Sequence, residues 1–285
     1  MTQSTDWEIS GADSQTIFGT TYMPDEAPVG CAIIAHGFKG YKDFRMIPPI
    51  ARGLCQAGFV AHAFNFSHSG MTANPDTFER TDLFEFDTWN KQVFDIQCIV
   101  AAIAGGRLKG TALPYVLLGH SRGGVSAILF AGRHAAGSSL PKPAGLVTAG
   151  SPDRACDLSA SAKEQLRAEG FLASPSARTG QMLRIGLRWL TEQEADADAH
   201  DVLENVRKIE CPILVVHGEN DETVDVSSAA SIAGAAANAR IATIKNCNHV
   251  FNAPNPPPLD IRDIPELGQA IDEIVKFSRD CCGAS

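Results

Sequence analysis

The sequence predicts an α/β fold built on a mostly parallel, doubly wound sheet of eight strands. Three observations carry that prediction. Short apolar runs alternate with stretches of helical periodicity, as they do when parallel strands are covered on both faces. Right-handed crossovers then leave a doubly wound sheet as the simplest arrangement. The chain, with 285 residues of which 44% are hydrophobic and 20% charged, is long enough to bury a large core without disulfide or metal.

The elements follow in order. Residues 7–9 and 16–22 read as two half-exposed strands. Residues 31–35 (CAIIA) form a continuous apolar run, and residues 45–57 a helix that stops before Gly58. The next strand is 59–64. Asp87 or Thr88 can cap a helix whose Trp89, Val93, Ile96, Val100 and Ile103 share one face. Residues 115–118 (YVLL) are a strand, followed by GHSRGG and an apolar helix to about residue 131. Residues 145–149 and 212–216 are two further strands. An Ala-rich helix over 227–237, a last strand over 240–244 and a helix marked by Leu267, Ile271, Ile274 and Phe277 complete the pattern.

One stretch breaks the alternation. Residues 151–210 hold no clear strand, and helical patterns run over 160–169, 179–190 and 192–208. The expectation is a single domain, 1–285, with 151–210 as a small helical lid inserted at a strand's carboxyl end, where ligands bind in such sheets.

Composition excludes some functions. A net charge of −9 and a pI near 5.3 argue against a nucleic-acid surface. The N-terminus is polar and acidic, without the basic and apolar regions of a signal peptide. No apolar run has the length of a bilayer span. The eight cysteines are scattered and form no C-x-x-C pair, so reduced thiols in a cytoplasmic protein are expected. Neither a phosphate-cradling loop nor a G-x-G-x-x-G run is present, and no cofactor or metal is expected. His62 and His68 make a poor metal pair because spacing supplies no third ligand.

The chemistry lies in the loops after strands. Gly119-His120-Ser121-Arg122-Gly123 is a G-x-S-x-G motif between an apolar strand and an apolar helix, the context the motif requires. A serine hydroxyl needs an adjacent base. His249, in KNCNHVF after the last strand, suits that part. The acid should precede it, and Asp221 in HGENDETV does, with Asp225 and Asp153 as rivals. Acyl transfer also needs two donors for a developing oxyanion. The amides of Arg122 and of Phe38, in the HGFKG run after residues 31–35, are the candidates.

HGF, GHSRGG, HGENDETV and NHVF, in this order over roughly residues 14–280, resemble the α/β-hydrolase superfamily. More narrowly, HGFKGYKDF, FNFSHSG and GHSRGG resemble small bacterial serine esterases related to feruloyl (cinnamoyl) esterases and dienelactone-hydrolase-like proteins. The resemblance implies an α/β-hydrolase fold with a compact helical insertion before the acid, and cleavage of carboxylic esters. It implies Ser121 as nucleophile, Asp221 as acid, His249 as base, and Phe38 and Arg122 as oxyanion amides. The chain departs from true dienelactone hydrolases, which use Cys, and from dehalogenases and epoxide hydrolases, which use Asp.

The expected function is therefore a serine hydrolase that cleaves carboxylic esters of small molecules through an acyl-enzyme intermediate. Alternatives are an acyltransferase or peptidase with the same triad, or a ligand-binding protein with a vestigial one. The expected partner is a small-molecule ester, with no nucleic acid and no membrane, in a monomer or homodimer. His120 either contacts substrate or supports its loop. The Arg122 side chain either binds an acidic group or ties the elbow to the insertion. Arg178, Arg184 and Arg188 read first as a solvated helix face and otherwise as attractors of a carboxylated substrate, and Trp189 and Met182 as core ahead of an acyl-pocket lining.

Overall fold

The computed structural model describes residues 3–135, 137–257 and 263–283. β1 (Gln3–Ser10) and β2 (Thr16–Met23) pair antiparallel at one edge of the sheet. β3 (Gly30–Ala35) leads through α1 (Ile47–Gln56) to β4 (Phe59–Asn65), which lies parallel to β3 and antiparallel to β2. α2 (Thr81–Glu85) and α3 (Trp89–Ala104) carry the chain to β5 (Tyr115–His120) on the other side of β3. Thr88, one of the two expected caps, accepts a hydrogen bond from the Lys91 amide at the start of α3. α4 (Arg122–Arg133) leads to β6 (Gly145–Ala149), parallel to β5.

Six elements fill residues 151–210. They are α5 (Ala160–Glu169), β7 (Phe171–Pro175), β8 (Met182–Gly186), α6 (Leu187–Ala195), α7 (Ala197–His200) and α8 (Val202–Lys208). β9 (Ile213–Gly218), α9 (Ser227–Ala235), β10 (Ala239–Ile244) and α10 (Pro265–Cys282) close the fold. The sheet has eight strands in the order β1-β2-β4-β3-β5-β6-β9-β10, and every pair from β4 to β10 is parallel. The predicted α/β, mostly parallel, eight-stranded sheet is thus the observed one.

Alternation within each strand explains why both faces are covered. Cys31, Ile33 and Ala35 of β3 enter one core with α3, α4, α8 and α9; Ala32 and Ile34 enter the other with α1 and α10. β5 divides likewise, with Tyr115 and Leu117 on one side and Val116 and Leu118 on the other. A period of two with apolar residues on both faces is what gave these strands their continuous apolar runs.

The topology also places a crevice. From β3 the chain crosses to β4, and from β5 it crosses the opposite way to β6. The carboxyl ends of β3 and β5 therefore flank the switch point where α/β sheets bind ligands.

The segment 151–210 differs in make-up from the helical reading. The helix expected over 179–190 is instead the strand β8, then α6. β7 and β8 form an antiparallel hairpin. β8 alternates exposed Met182, buried Leu183 and exposed Arg184, a period of two that a short window confuses with helical spacing. Gly180, at a φ of 71°, makes the left-handed turn that joins the strands. The helix expected over 192–208 is broken at Asp196 and Asp201, whose carboxylates cap α7 and α8.

Candidate active site

β5 delivers its last residue, His120, straight into Ser121, and α4 begins at Arg122. Ser121 sits at φ 53° and ψ −124°, a conformation unfavourable for any residue with a Cβ. The surroundings hold it there. The Ser121 amide donates to the Ala149 carbonyl on β6 (2.8 Å) and the Gly124 amide to the Ser121 carbonyl (2.9 Å). A Cβ on Gly119 would strike the Gly123 carbonyl, and a Cβ on Gly123 would strike the end of β3. Glycine at both positions is what lets the turn close.

His249 lies in the loop after β10. Asn248 Oδ1 accepts the amides of Val250 (3.1 Å) and Asn252 (2.9 Å), so the loop is built on its own side chain. Asp221 lies in the loop after β9. Its Oδ1 accepts the amides of Thr223 and Val224, both at 2.9 Å. His249 Nδ1–H donates to Asp221 Oδ2 at 2.8 Å, which leaves Nε2 to accept from Ser121 Oγ at 3.0 Å. His217 Nε2–H donates to the Val224 carbonyl (3.0 Å) and lies 3.2 Å from the same Oδ2. Burial acts to raise the Asp221 pKa, but the hydrogen bonds from His217, His249 and the Val224 amide outweigh it and hold the carboxyl far below its usual range.

Of the three candidate acids, Asp221 is the one that meets His249. Asp153 accepts from Arg154 Nε at 2.8 Å, and Asp225, exposed, accepts from the Ser227 amide.

Across the crevice, the loop after β3 is pinned by His36. Its Nδ1–H donates to the Gly37 carbonyl (2.8 Å) and its Nε2 accepts the Phe66 amide (3.3 Å). Burial pulls its pKa down to about 4, so the ring is neutral at pH 7. Among the described residues, neither the Phe38 amide nor the Arg122 amide has an acceptor. A cavity of about 470 Å³ opens here, lined by Phe38, Phe44, Arg45, Ser121, Glu222 and His249, among others.

The Arg122 side chain runs the other way, into an aromatic box. Its Cζ is 4.5 Å from the Trp89 ring centroid, 4.8 Å from Phe38 and 5.0 Å from Trp189. Of its two sequence readings, the contact with Trp189 of α6 favours the tie to the insertion. The polar atoms in this box are left over. Arg122 Nε, Asp87 Oδ1, Trp89 Nε1 and Trp189 Nε1 are all buried without a hydrogen-bond partner among the described residues. Burial pushes the Asp87 carboxyl up to about 7 in spite of the neighbouring guanidinium.

Other singled-out residues take structural places. His62 meets Thr21 Oγ1 (2.9 Å) and the Lys109 carbonyl (3.0 Å); His68 meets Ser67 Oγ (2.9 Å). Among the described residues no three His, Cys, Asp or Glu side chains are grouped to hold a metal. All eight cysteines are free, and no described helix is long and apolar enough to cross a membrane. Trp189 is buried as expected, but Met182 is exposed. Of Arg178, Arg184 and Arg188, only Arg188 is an exposed helix residue. Arg178 leaves its expected helix face: its guanidinium donates to the carbonyls of Pro75 (2.8 Å) and Asp76 (3.1 Å) and stacks on Tyr41 and Phe78. Arg184 lies on β8, over Phe171. Lys39, beside Phe38, donates to the Pro175 carbonyl at the end of β7 (2.7 Å).

Sequence reasoning missed Asp87 as a buried acid and left His120 open between two roles. Asp87 looks like a helix cap in sequence, and Thr88 takes that part.

Comparison with known proteins bears on the fold. No curated protein sequence matches the chain. Among solved structures it is similar to Est1E from Butyrivibrio proteoclasticus, at 17% identity and a TM-score of 0.69, covering 98% of this chain and 99% of that one. A structure of Est1E with ferulic acid bound is also similar, at 20% identity and a TM-score of 0.68, over 95% and 98% of the two chains. A thermostable carboxyl esterase from Bacillus coagulans, in complex with glycerol, gives 16% identity and a TM-score of 0.72 over 99% and 100%. Identities this low speak for the fold alone. The model of the alpha/beta hydrolase family matches residues 32–259. With that match spanning most of its length, the chain belongs to the α/β hydrolase family.

Proposed function

We propose that the protein is a serine hydrolase that cleaves carboxylic esters of small molecules. The observation that carries this reading is the continuous chain from Ser121 Oγ through His249 to Asp221, with hydrogen bonds of 3.0 and 2.8 Å beside a cavity. In the first step His249 Nε2 takes the Ser121 proton as Oγ attacks the ester carbonyl. Asp221 holds the imidazole in the Nδ1–H tautomer and stabilises the imidazolium that forms. The amides of Phe38 and Arg122 receive the oxyanion. The alcohol leaves with the proton from His249. Water, deprotonated by the same base, then releases the acid and frees Ser121. This chemistry uses no cofactor.

The same reading makes residues 151–210 a lid within one domain and puts the enzyme in the cytoplasm. The hold of Lys39 on Pro175 supports the lid, because it links the hairpin to the loop that carries Phe38. The similarity to Est1E, seen with ferulic acid, makes hydroxycinnamoyl esters a reasonable first panel beside nitrophenyl esters of graded acyl length.

The test is Ser121→Ala. It should abolish labelling by a fluorophosphonate and lower ester hydrolysis by several orders of magnitude. Labelling of the variant at the wild-type rate would overturn the proposal.

A further inference from the structure

We propose that His120 is a positioning residue that holds the base, His249, in register with the nucleophile; this rests on the serine-hydrolase reading above. His120 Nε2 lies 2.9 Å from the main-chain carbonyl of His249. A carbonyl only accepts, so Nε2 carries the proton and donates. The two imidazole rings lie 4.8 Å apart, tilted by 49°. His120 immediately precedes Ser121. The residue before the nucleophile therefore holds the residue that activates it.

What makes this bond matter is how the base loop is otherwise tied. Most hydrogen bonds of residues 246–252 stay within the loop, through Asn248 and Asn252. Others run to the loop after β9: the Asn220 amide donates to the Cys247 carbonyl (2.9 Å), the Asn246 amide to Glu219 (3.3 Å), and His249 itself to Asp221. Acid and base thus share a frame. Toward the nucleophile elbow, among the described residues, there are two bonds: the reacting one from Ser121 Oγ and the one from His120. The first is broken and remade in every turnover. The second is independent of the proton in flight, so it can keep the distance between Oγ and Nε2 while the proton moves.

The role demands a neutral ring, since a charged His120 would face the imidazolium that forms on His249. The site enforces neutrality. His120 is buried, and desolvation together with the neighbouring His249 pulls its pKa down to about 3. The other titratable groups that face it are Asp221, which acts in the opposite sense, and the neutral His36.

Two variants and one spectrum test the proposal. His120→Phe keeps a ring of similar size and removes the donor. Its kcat on a nitrophenyl ester should fall by roughly 10- to 100-fold, with KM within about twofold of wild type. His120→Gln restores an N–H of similar reach and should recover most of the loss. In the wild type, nitrogen NMR should find His120 as the neutral Nε2–H tautomer throughout about pH 5–8. The proposal is overturned if His120→Phe turns over at the wild-type rate, if a folded His120→Gln does no better than a folded His120→Phe, or if the spectrum shows an Nδ1–H or charged ring. The spectrum decides even if neither variant folds. A wild-type enzyme that neither hydrolyses the ester nor labels with fluorophosphonate would sink the hydrolase reading instead, a separate result.

Discussion

Two aspartates on either side of Ser121 have opposite fates. Asp221 is surrounded by donors: two backbone amides on Oδ1, and His249 on Oδ2 with His217 close by. Asp87 has Gln92 Nε2 on one oxygen (2.6 Å) and, among the described residues, no donor on the other. Burial acts to raise both carboxyls. It is overruled at Asp221 and prevails at Asp87. Depth and hydrogen-bond supply together separate the two carboxyls: Asp87 is the more deeply buried and has the fewer donors. The guanidinium of Arg122, held among aromatic faces, is the strongest influence lowering the Asp87 carboxyl, ahead of the Gln92 hydrogen bond, and burial still prevails.

The contrast can be broken at three points, the largest effect first. Asp221→Asn should lower kcat by about 10⁴-fold, because the amide no longer fixes the Nδ1–H tautomer. Asp153→Asn should leave kcat within about threefold of wild type, because Asp153 pairs with Arg154 and not with His249. An equal loss in both would dissolve the assignment of the acid, and the steady-state kinetics of the pair settles it.

Next come opposite shifts in thermal stability. The folded-state pKa of Asp221 lies below its unfolded value. Its charge therefore stabilises the fold at neutral pH, and that contribution is lost as pH falls through the folded value. Asp87 has the reverse sign. Its folded pKa, about 7, lies above the usual 3.8, so the folded chain keeps a proton that the unfolded chain releases. Stability from that site is full below the unfolded value and declines as pH rises toward 7. Asp221→Asn should thus lower the melting temperature at pH 8, and Asp87→Asn should raise it, each change corresponding to a stability difference on the order of 1–3 kcal/mol. The Asp87→Asn gain should fade near pH 4. Melting curves at the two pH values read both signs, and a drop in melting temperature for Asp87→Asn at pH 8 would refute the unpaired-acid picture.

The smallest effect belongs to Trp189→Phe. Its indole N–H has no partner among the described residues, so removing it strands nothing, and the cost should be that of packing and of a weaker contact with Arg122, about 1 kcal/mol. A loss of several kcal/mol in denaturant titration would mean the indole N–H is bonded after all.

The sequence made some of this site legible and hid the rest for physical reasons. Ser121 and His249 could be read because each follows a strand, and an elbow needs small residues at fixed offsets. Asp221 could not be separated from Asp153, since both follow strands and the choice rests on which loop reaches His249. The box around Arg122 was invisible because its walls come from Phe38, Trp89 and Trp189, far apart in the chain. The bond from His120 was hidden for another reason: its acceptor is a main-chain carbonyl, which leaves no residue type to recognise. The β7–β8 hairpin was lost because five-residue strands are too short to separate a period of two from one of 3.6.

The pairing of β3 with β5 has a consequence for tolerances. Ala35 and Gly119 are partners on the same rung of the sheet. Phe38 and Arg122 each follow three residues later, so the two amides proposed to hold the oxyanion set out from one rung by equal lengths of chain. Their separation is gauged by the strand spacing of about 4.8 Å, a dimension the whole sheet maintains. Side chains in the cavity can change freely against such a gauge. A single inserted residue near the end of either strand would upset it.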